Sequence, residues 1–575
     1  MPSRSILDSV LAKIGALHAA SITRRFSRAV ANATRVQSDL LAELLAAGEG
    51  SDFGRDHGLA SIRDYREFAR QVPIRSYADL EPYIEKVRNG HVGALFSPQT
   101  RILMFALTSG TTARPKYIPI TPRVLADCRA GWNIWGLKAL LDHPGTMLRH
   151  ILQVTSPMND HSSPSGLPCG AITGLLAATQ KRLVRRYYTS PPCVANITDS
   201  VAKYYTIMRL AIPRDVAWAV TANPATLLLL AKTGDEHREQ LIRDIHDGTL
   251  SASMAVDGGI RAALHSRLEP DPDCARRLET IVAKHGALYP KHYWRLGYVA
   301  HWTGGTMGLY RDQFPRYFGD VPARDIGLIA SEGRMSIPVD DHTPAGILAV
   351  TSQFFEFIPA SEYGGSNPTV VRSHELTIDE EYFIVLTNAS GLYRYDLGDR
   401  IRVVRRVGEA PLIEFLSRDA HSSSMAGEKL TEDQVVAAME AASPATGKIV
   451  DFVLAPRWAD PPYYRLYVES ASVRAEAALA RRVDEALSKI NLEYGSKRAT
   501  LRLGEVETVG LPAGALAQRD MELRRARSGT SEQFKHQYLL SRPELDGDLA
   551  QLAVDRAAVG AVHQSPGRLN SGSAT

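Results

Sequence analysis

The apolar run Ile102–Leu107 passes straight into Thr108, Ser109, Gly110, Thr111, Thr112, Ala113, Arg114, Pro115 and Lys116, and this junction limits the possible folds more than any other stretch. A run of that kind reads as a buried strand, and the hydroxyl-rich segment after it as a polar loop. Pro115, Pro119 and Pro122 oppose a helix directly behind the loop, since proline lacks an amide proton and clashes with a preceding turn. The loop is therefore expected to join two strands. It is not a Walker A loop, because Pro115 and Tyr117 flank Lys116 where that motif needs Gly and Ser or Thr. Hydroxyls, a glycine that lets backbone amides approach and a lysine together suit polyphosphate oxygens through charge-assisted hydrogen bonds. A Ser/Thr-rich surface turn has the same composition, so the segment alone leaves both readings open.

At 575 residues the chain exceeds the size at which one hydrophobic core keeps growing, so at least two domains are expected. No apolar run approaches the roughly 20 residues needed to span a bilayer, which gives the expectation of a protein without a membrane partner. A net charge of +4 is small for this length and argues against a surface built to hold nucleic acid. The local basic run Lys181, Arg182, Arg185 and Arg186 reads as the solvated face of a helix; RNA binding is the alternative, with Tyr187 and Tyr188 as its interleaved aromatics. Cys128, Cys169, Cys193 and Cys274 lie far apart, with neither zinc-site spacing nor a disulfide framework, which suits a cytoplasmic protein. The first 38 residues, with Asp8 as their only acid, superficially look like a transit peptide but read as an amphipathic packing helix.

Residues 37–47 carry helical periodicity, with Asp39 placed to favour the positive end of the helix dipole. Phe383–Leu386 and Ile401–Val404 read as strands. The texture changes from about Arg418, where Ser422, Ser423, Ser424 and Gly427 read as a linker and Thr431 with Gln434 as a capping box opening a helix through Ala442. Strands at Ile449–Leu454 and around Tyr464, Leu466 and Val468, a helix over Val473–Ile490 and a last strand near Thr500–Val506 complete a small α+β module. The expected division is 1–420, 421–560 and a disordered tail over 561–575. No internal repeat is present, and no Gly-x-Ser-x-Gly, His-Glu-x-x-His, Cys-x-x-Cys or Gly-x-Gly-x-x-Gly motif supports a hydrolase, zinc-protease or dinucleotide reading.

Three segments in order settle the ambiguity of the loop. The stretch from Thr108 to Lys116 resembles the phosphate-binding signature of the adenylate-forming superfamily that contains acyl-CoA synthetases and luciferases. Ala330, Ser331 and Glu332 resemble its second signature, whose glutamate holds magnesium, a hard cation that prefers oxygen ligands. Gly391, Leu392, Tyr393, Arg394, Tyr395, Asp396, Leu397, Gly398 and Asp399 resemble the third, whose final aspartate grips the ribose hydroxyls. Within the superfamily the chain is similar, over nearly its whole length, to the auxin-responsive Gretchen Hagen family of acyl acid amido synthetases. The lead-in from Val72 to Ile84, the segment Phe354–Pro359 and the closing motif Gly529–Lys535 carry that likeness.

The resemblance implies an α/β fold, with mixed α and β elements in a large N-terminal adenylate-forming domain and a smaller mobile C-terminal α+β domain. It implies ATP and Mg2+ as cofactors, and a small carboxylic acid and an amine, an amino acid above all, as substrates. By the same likeness Lys535 reaches the acyl phosphate, Gly304 and Gly305 lie near the nucleotide and acyl pocket, and Arg418 contacts ribose at the interdomain hinge. Trp132, Trp135, Tyr187 and Tyr188 are candidates to line the acyl pocket or to pack in the core. Two departures stand out: Ala113 replaces a usual glycine, and Leu328 replaces an adenine-stacking aromatic, a role that passes to Phe354 or Phe355. Thioester formation with coenzyme A and a catalytically inactive nucleotide-binding scaffold remain the alternatives.

Overall fold

The computed structural model describes residues 6–107, 116–304, 310–418, 422–423, 425, 428, 430–443, 451–459, 461–469, 473–499, 503–526 and 535–553. They form two compact units, one ending at Leu416 and one beginning at Ser417 and taking in residues 535–553.

The first unit opens with α1 (Ile6–Ala31) and α2 (Ala33–Gly48). Asp39 does not sit at the positive end of its helix: α2 starts at Ala33, so Asp39 lies well inside it and pairs with Arg35 at 3.5 Å on the surface. Leu40, Leu41, Leu44 and Leu45 recur at helical spacing and are buried. Among them Gln37 is buried as well, and its amide donates to the carbonyls of Val350 and Gln353 at 2.7 and 2.8 Å while accepting from the Phe355 amide at 2.9 Å. Gln37→Leu keeps the apolar stripe but strands three buried main-chain groups, so it is expected to destabilise the unit by about 2–4 kcal/mol. Urea unfolding measures this; a loss under about 0.5 kcal/mol, the range of ordinary surface changes, would contradict it.

β1 (Met104–Leu107) and β2 (Tyr117–Ile120) pair antiparallel with Leu107 opposite Tyr117, so the hydroxyl-rich loop joins two strands. Pro119 is tolerated because β2 is an edge strand. Pro122 opens α3 (Pro122–Asp142), whose first turn is capped by the Thr121 hydroxyl accepting from the Val124 amide at 3.2 Å. A parallel layer follows, β3 (His150–Gln153), β4 (Val216–Val220), β5 (Tyr298–Ala300) and β6 (Ala323–Arg324), in that spatial order. Its long connections carry helices, as parallel pairing requires.

The largest sheet takes β7 (Ser336–Ile337), β8 (Gly346–Leu348), β9 (Phe354–Pro359), β10 (Val371–Arg372), β11 (Glu381–Thr387), β12 (Tyr395–Val407) and β13 (Ala410–Arg418). Their spatial order is β7-β8-β13-β12-β11-β9-β10. Along β12, Tyr395, Leu397, Asp399, Ile401 and Val403 are buried in strict alternation, which puts a tyrosine and a carboxylate on one inward face.

In the second unit α4 (Glu432–Ala442) starts at the Thr431/Gln434 capping box. β14 (Phe452–Arg457) and β15 (Tyr463–Glu469) pair antiparallel, and after α5 (Val473–Ile490) the strand β16 (Glu507–Leu511) adds parallel to β15. The last strand falls later than its sequence placement near Thr500–Val506 because a further helix, Leu492–Ala499, intervenes. α6 (Ala515–Ala526) packs behind it. Ser422 and Ser423, expected in a linker, pair with Leu430–Thr431 as a short ladder, while Ser424, Gly427 and the tail 561–575 lie outside the described residues. Among the described residues no helix is long and apolar enough to cross a membrane.

Candidate active site

Ile329–Ala330 pairs with Gly333–Arg334, which leaves Ser331 and Glu332 at the tip of a two-residue hairpin. Gly333 packs against the Gln353 amide, which a Cβ at 2.2 Å from Gln353 Oε1 would displace from its hydrogen bond to the Arg334 carbonyl. Ser331 Oγ donates to the Leu107 carbonyl at 2.8 Å, tying the hairpin tip to the last residue before the hydroxyl-rich loop. Asn388 Nδ2 donates to the Glu332 carbonyl at 2.7 Å from the turn that follows β11. The Glu332 carboxylate is thus held by main-chain anchors that do not consume it, and it is buried.

Tyr395 links the other two elements. Its hydroxyl accepts from Lys116 Nζ at 3.3 Å and donates to Glu332 Oε1 at 3.4 Å, and the Lys116 ammonium also lies 5.5 Å from the Tyr77 ring. Sequence reading placed Tyr395 inside a motif without giving it a role; the period-two burial of β12, which sets it on the same face as Asp399, was the available signal. Its neighbour Arg394 is a structural mount. Arg394 adopts φ +47°, a left-handed conformation rare for a non-glycine residue. Its guanidinium donates to both Glu356 oxygens at 2.9–3.1 Å and to the Ala69 and Val72 carbonyls at 2.9 and 2.8 Å. Arg75 completes the clasp: its amide donates to the Arg394 carbonyl at 2.9 Å and its carbonyl accepts from the Asp396 amide at 2.8 Å.

A small cavity of about 20 Å³, room for about one water molecule, opens beside Glu332, lined on one side by Val124, Asp127 and Cys128 of α3 and on the other by Gly333 and Arg334. Burial raises the Asp127 carboxyl to about 6, against the pull of Arg123, and raises the Cys128 thiol to about 11, so that thiol stays neutral at pH 7. Arg334 is buried and lowered to about 10 by that burial; it lies 4.5 Å over the Trp132 ring and donates to the Ile326 carbonyl at 2.8 Å. Among the described residues no three or more His, Cys, Asp or Glu side chains gather as a metal cage. Mg2+ keeps several waters and binds through one or two carboxylates plus substrate phosphates, so a single carboxylate can serve it. Glu332 at the cavity edge is the donor that fits.

The other expected residues fall as follows. Thr108, Ser109, Gly110, Thr111, Thr112 and Gly305 lie outside the described residues. At Gly304 a Cβ would lie 2.8 Å from the Pro344 side chain, so that glycine answers a packing need; Thr303 beside it donates from amide and hydroxyl to Asp325 at 2.6 and 2.8 Å. Asp399 is buried on the inner face of β12 and Arg418 ends β13. Lys535 belongs to the second unit and is exposed. Phe354 and Phe355 do not offer a face for adenine: both are buried core residues, Phe354 packing near Tyr65 and Phe68 and Phe355 beside Phe357. Trp135 is core too, donating from Nε1 to the Asp325 carbonyl at 2.7 Å, whereas Trp132 carries Arg334 at the cavity. In the basic run, Arg185 is bound to the Ala178 and Gln180 carbonyls and Arg186 lies over Tyr187, so half of its charge serves local structure.

Residues 22–323 match the GH3 family N-terminal domain, 346–418 the GH3 family central domain and 433–544 the GH3 family C-terminal domain. Jasmonoyl-L-amino acid synthetase JAR4 of Nicotiana attenuata is 26% identical over 482 residues, covering 80% of this chain and 82% of that protein. Indole-3-acetic acid-amido synthetase GH3.10 of Arabidopsis thaliana is 25% identical over 496 residues, covering 79% and 83%. The solved GH3.15 acyl acid amido synthetase shares the fold with a TM-score of 0.81 at 21% identity, over 92% of this chain and 95% of that one.

Proposed function

The chain belongs to the GH3 family, and on that premise we propose that it is an ATP-dependent ligase, an acyl acid amido synthetase that adenylates a carboxylic acid and passes the acyl group to an amine, an amino acid above all. The observation that carries this reading is the meeting of Lys116, Tyr395 and Glu332 beside a cavity, with Ser331 anchored to the end of β1. In the first half-reaction an oxygen of the acid attacks the α-phosphorus of ATP and the bond to pyrophosphate breaks. In the second, the amine nitrogen attacks the acyl carbonyl, AMP leaves and the nitrogen loses a proton. Adenylation is needed because a carboxylate is a poor electrophile.

Lys116 and the hydroxyl-rich loop hold the phosphates, and Tyr395 orients the Lys116 ammonium and the Glu332 carboxylate with one hydroxyl. Glu332 would hold magnesium, which when bound would supply positive charge to the phosphates. Asp399 takes the ribose with Arg418, Gly304 and Gly305 border the nucleotide pocket, and Lys535 stabilises the charge that develops as the adenylate forms. Four free cysteines fit a reducing cytoplasm.

Pyrophosphate release from MgATP, measured across aryl, indolyl and fatty acids with pooled amino acids, coenzyme A or neither, tests the reading. Stimulation by amino acids with formation of the amide is the expected result. Stimulation by coenzyme A alone would make the chain a thioester ligase, and silence throughout would leave a nucleotide-binding scaffold.

A further inference from the structure

The residue after Lys535 is held by a buried ion cluster that the proposed chemistry does not use. His536 is 3% exposed, with Nδ1 2.8 Å from Asp520 Oδ2 on α6 and Nε2 3.0 Å from the Phe452 carbonyl on β14. The same Nε2 lies 3.2 Å from Asp451 Oδ1. Each of these partners accepts hydrogen bonds, so both ring nitrogens must carry protons; a neutral imidazole would set a lone pair against a carboxylate or a carbonyl. Burial opposes that charge, but Asp451 and Asp520 outweigh it and raise the imidazole to about 9. Burial also raises Asp451, to about 6, so it remains ionised at pH 7.

The residues that follow are fixed to the same strand. The Tyr538 ring packs 4.5 Å from the imidazole, and its amide donates to Glu432 Oε1 of α4 at 3.0 Å. Main-chain bonds from Leu454 to the Tyr538 carbonyl and from Leu540 to the Leu454 carbonyl, at 2.8 and 2.9 Å, close the attachment. The groups facing His536 are therefore Asp451, Asp520 and the Phe452 carbonyl, with Glu432 behind Tyr538. Lys535 itself is exposed, immediately before this anchor.

We propose that the His536 imidazolium, clamped between Asp451 and Asp520, is the positioning residue that fixes the main chain of Lys535 for adenylate formation. It touches no substrate and acts through Lys535, so the inference rests on the role given to Lys535 above. A long flexible ammonium contributes to a transition state only if its main chain is already placed. The sign of the pH dependence follows: the folded imidazole is raised above its ordinary 6.5, so its charge is lost as pH rises through about 9, while Asp451 loses its charge as pH falls through about 6, and the clamp is complete between the two.

The test uses the full chain as wild type, His536→Gln, Lys535→Ala and the double variant, with Asp520→Asn as a milder change that keeps the imidazole and Asp451. Two rates are read: acid-dependent pyrophosphate release, and amide formation from supplied acyl-adenylate. His536→Gln is expected to lower kcat for pyrophosphate release on the order of 10-fold or more, with KM for ATP and acid unchanged and amide formation from the adenylate within about threefold. Asp520→Asn shows a smaller loss of the same kind, and the double variant is no slower than Lys535→Ala, because two residues acting in series do not add. Amide exchange over residues 536–540 accelerates in His536→Gln. An active wild type whose rate His536→Gln leaves unchanged, or a double variant slower than Lys535→Ala by the full His536→Gln factor, overturns the inference alone. A wild type silent with every acid removes the amide-forming reading and this inference with it.

Discussion

Glu332→Gln is expected to lower acid-dependent pyrophosphate release by about 100- to 1,000-fold, the cost of removing one preorganised electrostatic group from a phosphoryl-transfer site. The substitution is nearly isosteric, and the contacts that place residue 332 are not made by its carboxylate. The Ser331 hydroxyl holds the hairpin to Leu107 and Asn388 holds the 332 carbonyl, so the hairpin keeps its position. The Tyr395 hydroxyl can still donate to an amide oxygen, so the arrangement around Lys116 also survives. What is lost is the negative charge that a hard cation requires. Thermal unfolding of the variant should match wild type while turnover collapses, and raising MgATP should not restore the rate. Turnover within about threefold of wild type would show that residue 332 does not hold the metal and would move that role to another carboxylate, with Asp399 first in line.

The chemistry of the site was more legible in the sequence than its mechanics. The hydroxyl-rich, glycine-containing loop that ends at Lys116 announces itself by residue type, whereas Ser331, Glu332 and Asp399 were singled out by the resemblance of two further segments to the superfamily's signatures. The strand-loop-strand context of the phosphate loop was legible too, because proline forbids the alternative. Tyr395 and Arg394 were not assigned roles, since what they do depends on partners nearly 300 residues away in one case and on a pairing with Glu356 in the other. The error over Phe354 and Phe355 has the same origin: an aromatic pair in sequence carries no sign that both faces of β9 are covered, and here both side chains are buried, Phe354 against the helix over Tyr65–Gln71. The shift of the last strand to Glu507 arose because Leu492–Ala499, short and rich in charge, formed a helix that local pattern did not announce.

Glu356→Leu is expected to destabilise the first unit by about 3–5 kcal/mol, because it leaves Arg394 charged, buried and without its counterion. Glu356 is 1% exposed and Arg394 4% exposed, so solvent cannot take over the lost partner. The double variant Glu356→Leu/Arg394→Met should recover part of that loss by removing the orphaned charge; the Ala69 and Val72 carbonyls still lose their donor, so recovery stays incomplete. Denaturant unfolding of wild type, both single variants and the double measures the coupling, and additive losses would show that the two side chains stabilise the unit independently. The arrangement also accounts for the left-handed backbone at Arg394, a conformation that costs on the order of 1–3 kcal/mol and persists only where its surroundings over-determine it. Four hydrogen-bond acceptors on two separate segments, the end of the helix over Tyr65–Gln71 with its capping Val72 and the strand β9, converge on that guanidinium. The strain at residue 394 turns the chain so that the next residue, Tyr395, enters β12 with its hydroxyl between Lys116 and Glu332. Val72 and Glu356 therefore support the candidate site through Arg394, while Tyr77 meets it directly beside Lys116, and Glu356→Leu should reduce turnover per folded molecule as well as stability.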